Sequence, residues 1–567
     1  MTAGRAGNAL SRHLPITGWL PRYDRAWLRG DVAAGIAVTA LIVPKNLGYA
    51  EIAGLPVQNG LYAAAAGAIL YALFCTSRQI STGPSSSLAA VAGGAVLLTG
   101  LKGEHAEELV TAITLAAGVL FLLLAVLRMG WIARFLSKPV ITGFLAGAAI
   151  DVVIGELPKL TGTDADGVNA WRELGSWVRT LGDIHGVTLL VGAVSLAVIL
   201  AVRFLRPSIP GALVLVVGGI AAARLFDLGA HDVALVGHVP SGLPAPALPS
   251  TDIVRAEYPT IIVAAVALLL IGFSQTAGDA RAFATRHRYR IDVDQESVAQ
   301  GVANVGAGVF QGMPVSTSLS ASSLNETAGA RTPVASLVTG ALVILTLIVL
   351  APLFSDLPKA VLAAVIIDAV VFGMIDVAEF RRLRHVVPFD FWISVAALIG
   401  VLSVGVLAGV VVGIVLSLGW LISVATNPPI PELGRERDTQ VFRDLDQHPG
   451  DETFDGIVIL RLDSGLFFAT SQALEDRVRD LADAHGTALR AVVLDFEAVP
   501  YMDSQGSEQL REILEFVESQ NATLRLARVK PEIRVTLERD GLLERIGGER
   551  VHGNVHRAVE AQLGASH

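Results

Sequence analysis

Two short runs of hydroxyl side chains stand beside proline in a chain otherwise dominated by long apolar stretches. The first, Gln79 to Ala90 (QISTGPSSSLAA), places Ser85, Ser86 and Ser87 directly after Pro84. The second, Gly306 to Thr327 (GAGVFQGMPVSTSLSASSLNET), places Ser316, Thr317 and Ser318 just after Pro314. Proline suits the first turn of a helix, where its missing N–H costs nothing, so each run reads as a helix start. A helix that starts inside a bilayer is tolerated only where its free amides face a cavity or a partner. Those amides and the helix dipole together make an anion site. The same hydroxyls can instead cap their own helices, because cap and anion compete for them. Two broken helices at matching places in two halves point to the binding site of a transporter.

Other polar residues interrupt apolar sequence. Lys45 directly follows Pro44 in the first apolar stretch, where proline frees a carbonyl and suggests a broken or kinked helix. An ammonium at that depth needs water, a carboxylate or an anion. Tyr49, four residues on, shares its face and either walls a pocket or sits at an interface. Glu51 reads as a structural ion pair or as a proton carrier. Asp151, Glu156 and Asp368 are candidates for pairing inside the membrane or for function. No HExxH or GxSxG run occurs, and Ser504 has no neighbouring histidine, so an enzyme has no support. A single cysteine, Cys75, permits neither an intrachain disulfide nor a zinc or iron–sulfur site, and no metal site is expected.

These residues need a membrane scaffold to hold them. Of 567 residues, 52% are hydrophobic and only 17% charged. That is too little charge for a soluble protein of this size. The net charge of −9 gives no reason to expect nucleic acid as a partner. The apolar stretches read as about fourteen helices. Val32–Gly48, Asn59–Phe74, a half-length Pro84–Thr99, Leu109–Leu127, Val140–Ile154, Val187–Val202 and Ile209–Ala223 make the first half. Tyr258–Asp279, Val298–Val309, a short span from about Ser316, Val334–Leu350, Ala360–Phe372, Phe391–Val404 and Leu407–Val424 make the second. A polar insert, Lys159 to Asp183, and a loop, Asp227 to Pro249, separate some of them. Alternate loops carry the arginines and lysines: Arg78; Arg128, Arg134 and Lys138; Arg203 and Arg206; Arg281 to Arg290; Arg331; Arg381, Arg382 and Arg384. The positive-inside rule therefore places both termini in the cytoplasm of a plasma (inner) membrane protein. The same walk gives the two halves opposite topology, so the third and tenth spans start facing each other near the midplane.

The chain divides into an N-terminal tail (1–30, with Arg5, Arg12, Arg22, Arg25 and Arg29), a membrane domain (31–426), a proline linker (427–435) and a soluble domain (436–567). In the last, strands at Phe454–Leu462, Leu489–Leu494 and Thr523–Val529 alternate with helices at Ser471–Ala484, Ser507–Val517, Pro531–Arg539 and Val555–Ala561, a small α/β domain. Ser504 stands just before a helix start. It is either that helix's N-cap or a regulatory site where a phosphate would meet free amides.

These motifs resemble the sulfate permease (SulP) family of anion transporters. The resemblance is carried by GDVAAGIAVTALIVPKNLGYAEIAGL from Gly30, SRQISTGPSSS from Ser77, GFLAG from Gly143, ARAFATRHRYRIDVDQE from Ala280, GMPVSTSLSASSLNETAGART from Gly312 and FGMIDVAEFRRL from Phe372. The soluble part resembles a STAS domain through Asp503-Ser504-Gln505-Gly506. The resemblance implies a seven-plus-seven inverted repeat of α-helical spans. A core (about 31–127 and 258–353) would bind the anion and move against a gate (about 138–226 and 358–425) in an elevator-like step. It implies a homodimer in lipid and a small inorganic or dicarboxylic anion as partner. Sulfate leads as substrate; bicarbonate or a C4-dicarboxylate, exchange, and a channel on the same scaffold are the alternatives. No cofactor is implied beyond a coupling proton or sodium ion. Three positions depart from the family pattern: Lys45 where many members have glutamine, Ala321 where many have arginine, and Gln275 where many have a carboxylate. Asp279 lies one turn beyond Gln275 and joins Glu51 and Gln275 as a coupling candidate. The cation has thus moved across the site to Lys45, or Lys45 pairs with Asp279 or Glu51.

Overall fold

In lipid, a long apolar segment satisfies its backbone groups only by coiling on itself. The computed structural model describes residues 14–128, 137–165, 167, 169–206, 209–485 and 489–564. Arg5, Arg12 and Arg134 of the charge pattern lie outside the described residues, as does Asp166 of the polar insert. The chain forms two compact units, Met1–Ser417 and Leu418–His567.

The first unit is helical apart from its loops and one strand pair. In chain order its principal elements are α1 (Leu28–Ile52), α2 (Val57–Phe74), β1 (Thr82–Pro84), α3 (Ser86–Thr99), α4 (Glu104–Val126), α5 (Lys138–Thr161), α6 (Gly186–Leu205) and α7 (Gly211–Leu225). They continue with α8 (Tyr258–Arg286), α9 (Val293–Val309), β2 (Val315–Thr317), α10 (Leu319–Thr327), α11 (Val334–Leu345), α12 (Lys359–Met374), α13 (Pro388–Val404) and α14 (Val406–Thr426), whose last residues from Leu418 are counted with the second unit. Among the described residues nine helices are long and apolar enough to cross a membrane; α3, α7 and α13 are shorter apolar ones. Two packing groups stand out. In one, α9 lies on α4 and α2, α11 on α1 and α2, and α8 on α4. In the other, α5 lies on α13 and α12, and α12 on α6. Glycine permits the close approaches. A Cβ on Gly60 of α2 would sit 2.0 Å from the Asn46 carbonyl oxygen of α1, and one on Gly143 of α5 2.0 Å from that of Ser394 on α13.

The second unit builds a hairpin of β3 (Leu433–Arg435) and β4 (Phe442–Asp444), then a parallel sheet in the order β5 (Ile457–Arg461), β6 (Ala491–Asp495), β7 (Thr523–Ala527), β8 (Val551–His552). Helices α15 (Ser471–His485), α16 (Ser504–Ser519), α17 (Pro531–Arg539), α18 (Leu542–Ile546) and α19 (Val555–Gly564) connect or follow these strands. Both sheet faces are covered, as a parallel sheet requires. Val458, Leu460, Val492 and Leu494 meet Leu510, Ile513 and Leu514 of α16. Ile457, Ile459 and Val493 meet Val555, Ala558 and Val559 of α19.

Four expectations need correction. Helix α1 runs through Pro44 without interruption; proline removes one ladder hydrogen bond, and the flanking turns keep theirs. Pro84 and Pro314 do not start helices. Pro84 ends β1 and Pro314 precedes β2, because paired strands satisfy the backbone there before either helix begins. Lys159 belongs to α5 rather than to a polar insert, and Arg203 lies within α6 rather than in a loop; both meet buried carboxylates, described below. Ser504 is the first residue of α16, whose N-cap is Asp503.

Candidate functional site

The two hydroxyl runs come together as an antiparallel strand pair. Thr82 faces Thr317, Gly83 faces Ser316 and Pro84 faces Val315. Each strand feeds a helix, so α3 and α10 leave from opposite ends of the pair. Non-helical backbone at membrane depth must find partners within the protein, and here side chains supply them. Ser81 N donates to Ser322 Oγ at 2.9 Å, Asn325 Nδ2 to the Gln79 carbonyl at 2.9 Å, and Ser336 Oγ to the Ile80 carbonyl at 3.1 Å. On the other strand Val315 N donates to Asn304 Oδ1 at 3.0 Å, and Asn304 Nδ2 and Gln300 Nε2 both donate to the Val315 carbonyl.

The hydroxyls divide by role. Ser85 caps α3, accepting from Leu88 N at 3.4 Å, and Ser318 caps α10, accepting from Ala321 N at 3.4 Å. Ser87 and Ser316 are tied through α8: Gln275 Nε2 donates to Ser87 Oγ at 2.9 Å, and Ser316 Oγ donates to Gln275 Oε1 at 2.5 Å. One turn on, Thr317 Oγ1 donates to Asp279 Oδ2 at 2.8 Å. Gln275 therefore clamps both halves of the site, and Asp279 holds the second strand.

A small cavity of about 20 Å³ opens beside the pair, lined by Lys45, Asn46 and Tyr49 of α1, by Thr82 to Pro84, and by Ser318, Ser320 and Ala321. That volume exceeds the ~10–15 Å³ one water needs. Tyr49 is buried, its hydroxyl facing Ser86. Among the described residues Lys45 has no carboxylate within 4.0 Å, because the candidate partners are engaged elsewhere. Glu51 meets Lys159 at 2.7 Å, and Lys159 also holds Glu156 at 2.8 Å. Asp279 faces Thr317. The charges that act on Lys45 are Asp368 and Arg203, themselves a two-pronged pair at 2.7 and 2.6 Å. Asp151 has Glu173 as its charged neighbour.

Reasoning from sequence missed two residues of this cavity. Asn46 Nδ2 and Thr82 Oγ1 are buried with no hydrogen-bond partner among the described residues. Both line the cavity. A lone asparagine in an apolar run and a threonine before a glycine are too common to single out; only their orphaned atoms mark them. It also missed two buried carboxylates that brace the connectors. Glu296 accepts from the backbone N of Thr76 and of Ser77, both at 2.7 Å, and from Tyr71. Asp31 accepts from Arg331 N at 2.7 Å and Thr332 Oγ1 at 2.7 Å.

In the second unit Asp503 closes the loop before α16. Its Oδ1 accepts from Gly506 N at 2.7 Å and its Oδ2 from Phe468 N at 3.1 Å. A Cβ on Gly506 would lie 2.2 Å from the Leu466 carbonyl oxygen, which explains the glycine. Ser504 is left exposed on the first turn. At the other end of the sheet Arg525 Nη1 lies 3.1 Å from His552 Nε2. Burial, and then that guanidinium, hold the imidazole below its ordinary value.

Comparison with known proteins follows the same division. Residues 28–397 match the sulfate permease family, and residues 448–558 match the STAS domain. A probable sulfate transporter of Mycobacterium tuberculosis is 31% identical over 552 residues, covering 96% of this chain and 98% of its own. The chloroplastic sulfate transporter 4.1 of Arabidopsis thaliana is 30% identical, covering 97% of this chain and 82% of its own. The murine solute carrier 26 member A9 anion transporter, solved in an inward-facing state, shares the fold at a TM-score of 0.89 and 21% identity, over 100% of this chain and 95% of its own. The transmembrane domain of a cyanobacterial bicarbonate transporter shares it at a TM-score of 0.60 and 22% identity, over 70% of this chain and 99% of its own.

Proposed function

The chain belongs to the sulfate permease family and carries a C-terminal STAS domain, and from that premise we propose that it moves a small anion, sulfate first, across the membrane by secondary transport. The observation that carries this reading is the cavity that the strand leading into α3 and the start of α10 share with Lys45, a lysine without a carboxylate partner among the described residues. Capped helix N-termini concentrate positive potential there. Lys45 adds a charge, and Asn46 and Thr82 add donors that nothing among the described residues uses. An anion with several acceptor oxygens fits all of them. The relatives named as sulfate transporters support sulfate over bicarbonate or a dicarboxylate.

The mechanism follows from the packing. The group containing α1–α4 and α8–α11 acts as the core and the group around α5, α6, α7 and α12–α14 as the gate, in a seven-plus-seven inverted repeat. The core carries the anion in an elevator-like step. Glu51 and Lys159 link α1 of the core to α5 of the gate, so that pair must rearrange as the core moves. Asp279, which holds β2 through Thr317, and Glu51 are the carboxylates placed to sense a coupling proton or sodium ion. The termini face the cytoplasm, the protein works as a homodimer, and the STAS domain, with Ser504 exposed, tunes rate or abundance. Uptake of a panel of labelled anions into proteoliposomes, with and without pH and sodium gradients, tests the reading. Saturable, gradient-dependent sulfate uptake is expected. Competition by neutral solutes and not by anions would overturn it.

A further inference from the structure

The connector entering β1 and the connector leaving α10 come to the same side of the membrane unit, beneath the N-terminal segment. Together they enclose a cavity of about 460 Å³. Arg22, Arg78 and Arg331 line it, one from each wall, with Trp19 and Trp27 beside them. Among the described residues none of the three guanidinium groups has a carboxylate within 4.0 Å, and no acidic residue lines the cavity. Among the described residues the indole Nε1 of Trp19, a lining residue, is buried without a hydrogen-bond partner. The side chains lining this cavity thus include three cations and no acid; the Arg78 guanidinium also lies over the Tyr289 ring at 5.2 Å, and Arg78 and Arg331 reach a neighbouring pocket that holds Glu326.

Its walls are fixed from behind. Glu296 holds Thr76 and Ser77, next to Arg78, and Asp31 holds Arg331 and Thr332 through their backbone amides. The Tyr23 hydroxyl reaches the same Asp31 at 3.0 Å, tying in the N-terminal segment. The guanidinium groups therefore project from braced backbone. Beside the cavity Leu20, Trp27 and Leu28 are exposed apolar side chains, at 48%, 37% and 48%. Exposed tryptophan and leucine next to arginine mark the level where headgroups meet acyl chains.

We infer that this cavity binds a phosphate ester, the headgroup of an anionic phospholipid of the arginine-rich leaflet. Guanidinium forks match phosphate oxygens in pairs, the orphaned indole N–H supplies a further donor, and basic pockets of this kind favour anionic headgroups. A bound phosphate would bridge the two connectors that flank the half-helices, so the lipid would stabilise their arrangement. The site is separate from the transport cavity, and its binding test does not depend on which anion is carried.

The full-length protein in detergent is titrated with short-chain phosphatidylglycerol, short-chain phosphatidylcholine and inorganic phosphate, following thermal unfolding. Phosphatidylglycerol should raise the unfolding temperature saturably and phosphatidylcholine should not. Arg78→Gln with Arg331→Gln should weaken phosphatidylglycerol at least ~10-fold, since two charge-assisted contacts are lost. Should that variant fail to fold, Trp19→Phe, which removes only the indole N–H as a donor, should weaken it about threefold. A response to inorganic phosphate equal to that of phosphatidylglycerol, and lost in the double variant, would keep the site and assign it to soluble phosphate. Equal effects of the two lipids, or wild-type affinity for phosphatidylglycerol in both variants, would overturn the inference.

Discussion

Gln275 is hydrogen-bonded to both half-site hydroxyls, Ser87 and Ser316, so Gln275→Leu tests whether their relative position matters for binding. The substitution removes two neutral hydrogen bonds, each worth about 1 kcal/mol net, and so costs about 2 kcal/mol. The figure stays near that value because neither hydroxyl is orphaned: Ser87 Oγ keeps Ser85 Oγ at 3.2 Å, and Ser316 Oγ keeps the Thr317 carbonyl at 3.2 Å. If the clamp serves binding, most of this appears in the bound state, and about 2 kcal/mol corresponds to a rise of roughly 30-fold in KM. If it serves only folding, KM is unchanged and the unfolding temperature falls by a few degrees, at about 2–4 °C per kcal/mol or less for a chain this long. Initial-rate uptake of labelled sulfate by proteoliposomes, alongside thermal unfolding of the same preparation, separates the two. A KM within twofold of wild type, with a lowered unfolding temperature, would refute the assignment of Gln275 to the site.

Lys45→Gln should raise KM for the best anion by at least about tenfold, because a full charge leaves a low-dielectric cavity. Ala321→Arg, which returns a cation from the facing wall, should recover part of that loss. Unchanged KM in the single variant would place Lys45 outside the site. Lys159→Met leaves Glu51 and Glu156 without their counter-charge, a loss of about 3–5 kcal/mol, so the monodisperse yield on size exclusion should collapse. Adding Glu51→Gln and Glu156→Gln should restore it, whereas normal yield with abolished pH dependence of uptake would mark the cluster as a coupling group. His552 is held below its ordinary value of about 6.5. The unfolded chain therefore binds the proton more readily, and the stability this group contributes is full above about pH 6.5 and is lost as pH falls through its folded value. Unfolding of the STAS domain followed from pH 7.5 to 5 should show that loss, and His552→Gln should flatten it.

Much of this protein follows from the order of its residues alone. Long apolar runs must be helices in lipid, the arginine-rich loops give an expected orientation, and the switch to alternating strands and helices after Asn427 marks a second domain of another kind. The paired proline–hydroxyl runs located the candidate site because so few polar clusters interrupt the membrane sequence. Local rules also pointed to two of the caps: Ser85 and Ser318 each stand three residues from the amide they accept from, whereas the cap of α16 is Asp503 rather than its neighbour Ser504. What local sequence could not decide is which distant polar groups meet. Lys159 reads as a loop residue until α5 is seen packing its side chain between Glu51 and Glu156. Arg203 counts as loop charge until α6 brings it to Asp368 on α12. The same holds for Gln275 between two hydroxyls and for the orphaned donors of Asn46 and Thr82. A buried polar group is satisfied by whatever the fold carries to within about 3 Å of it, and that partner lies hundreds of residues away in the chain as often as it lies next door.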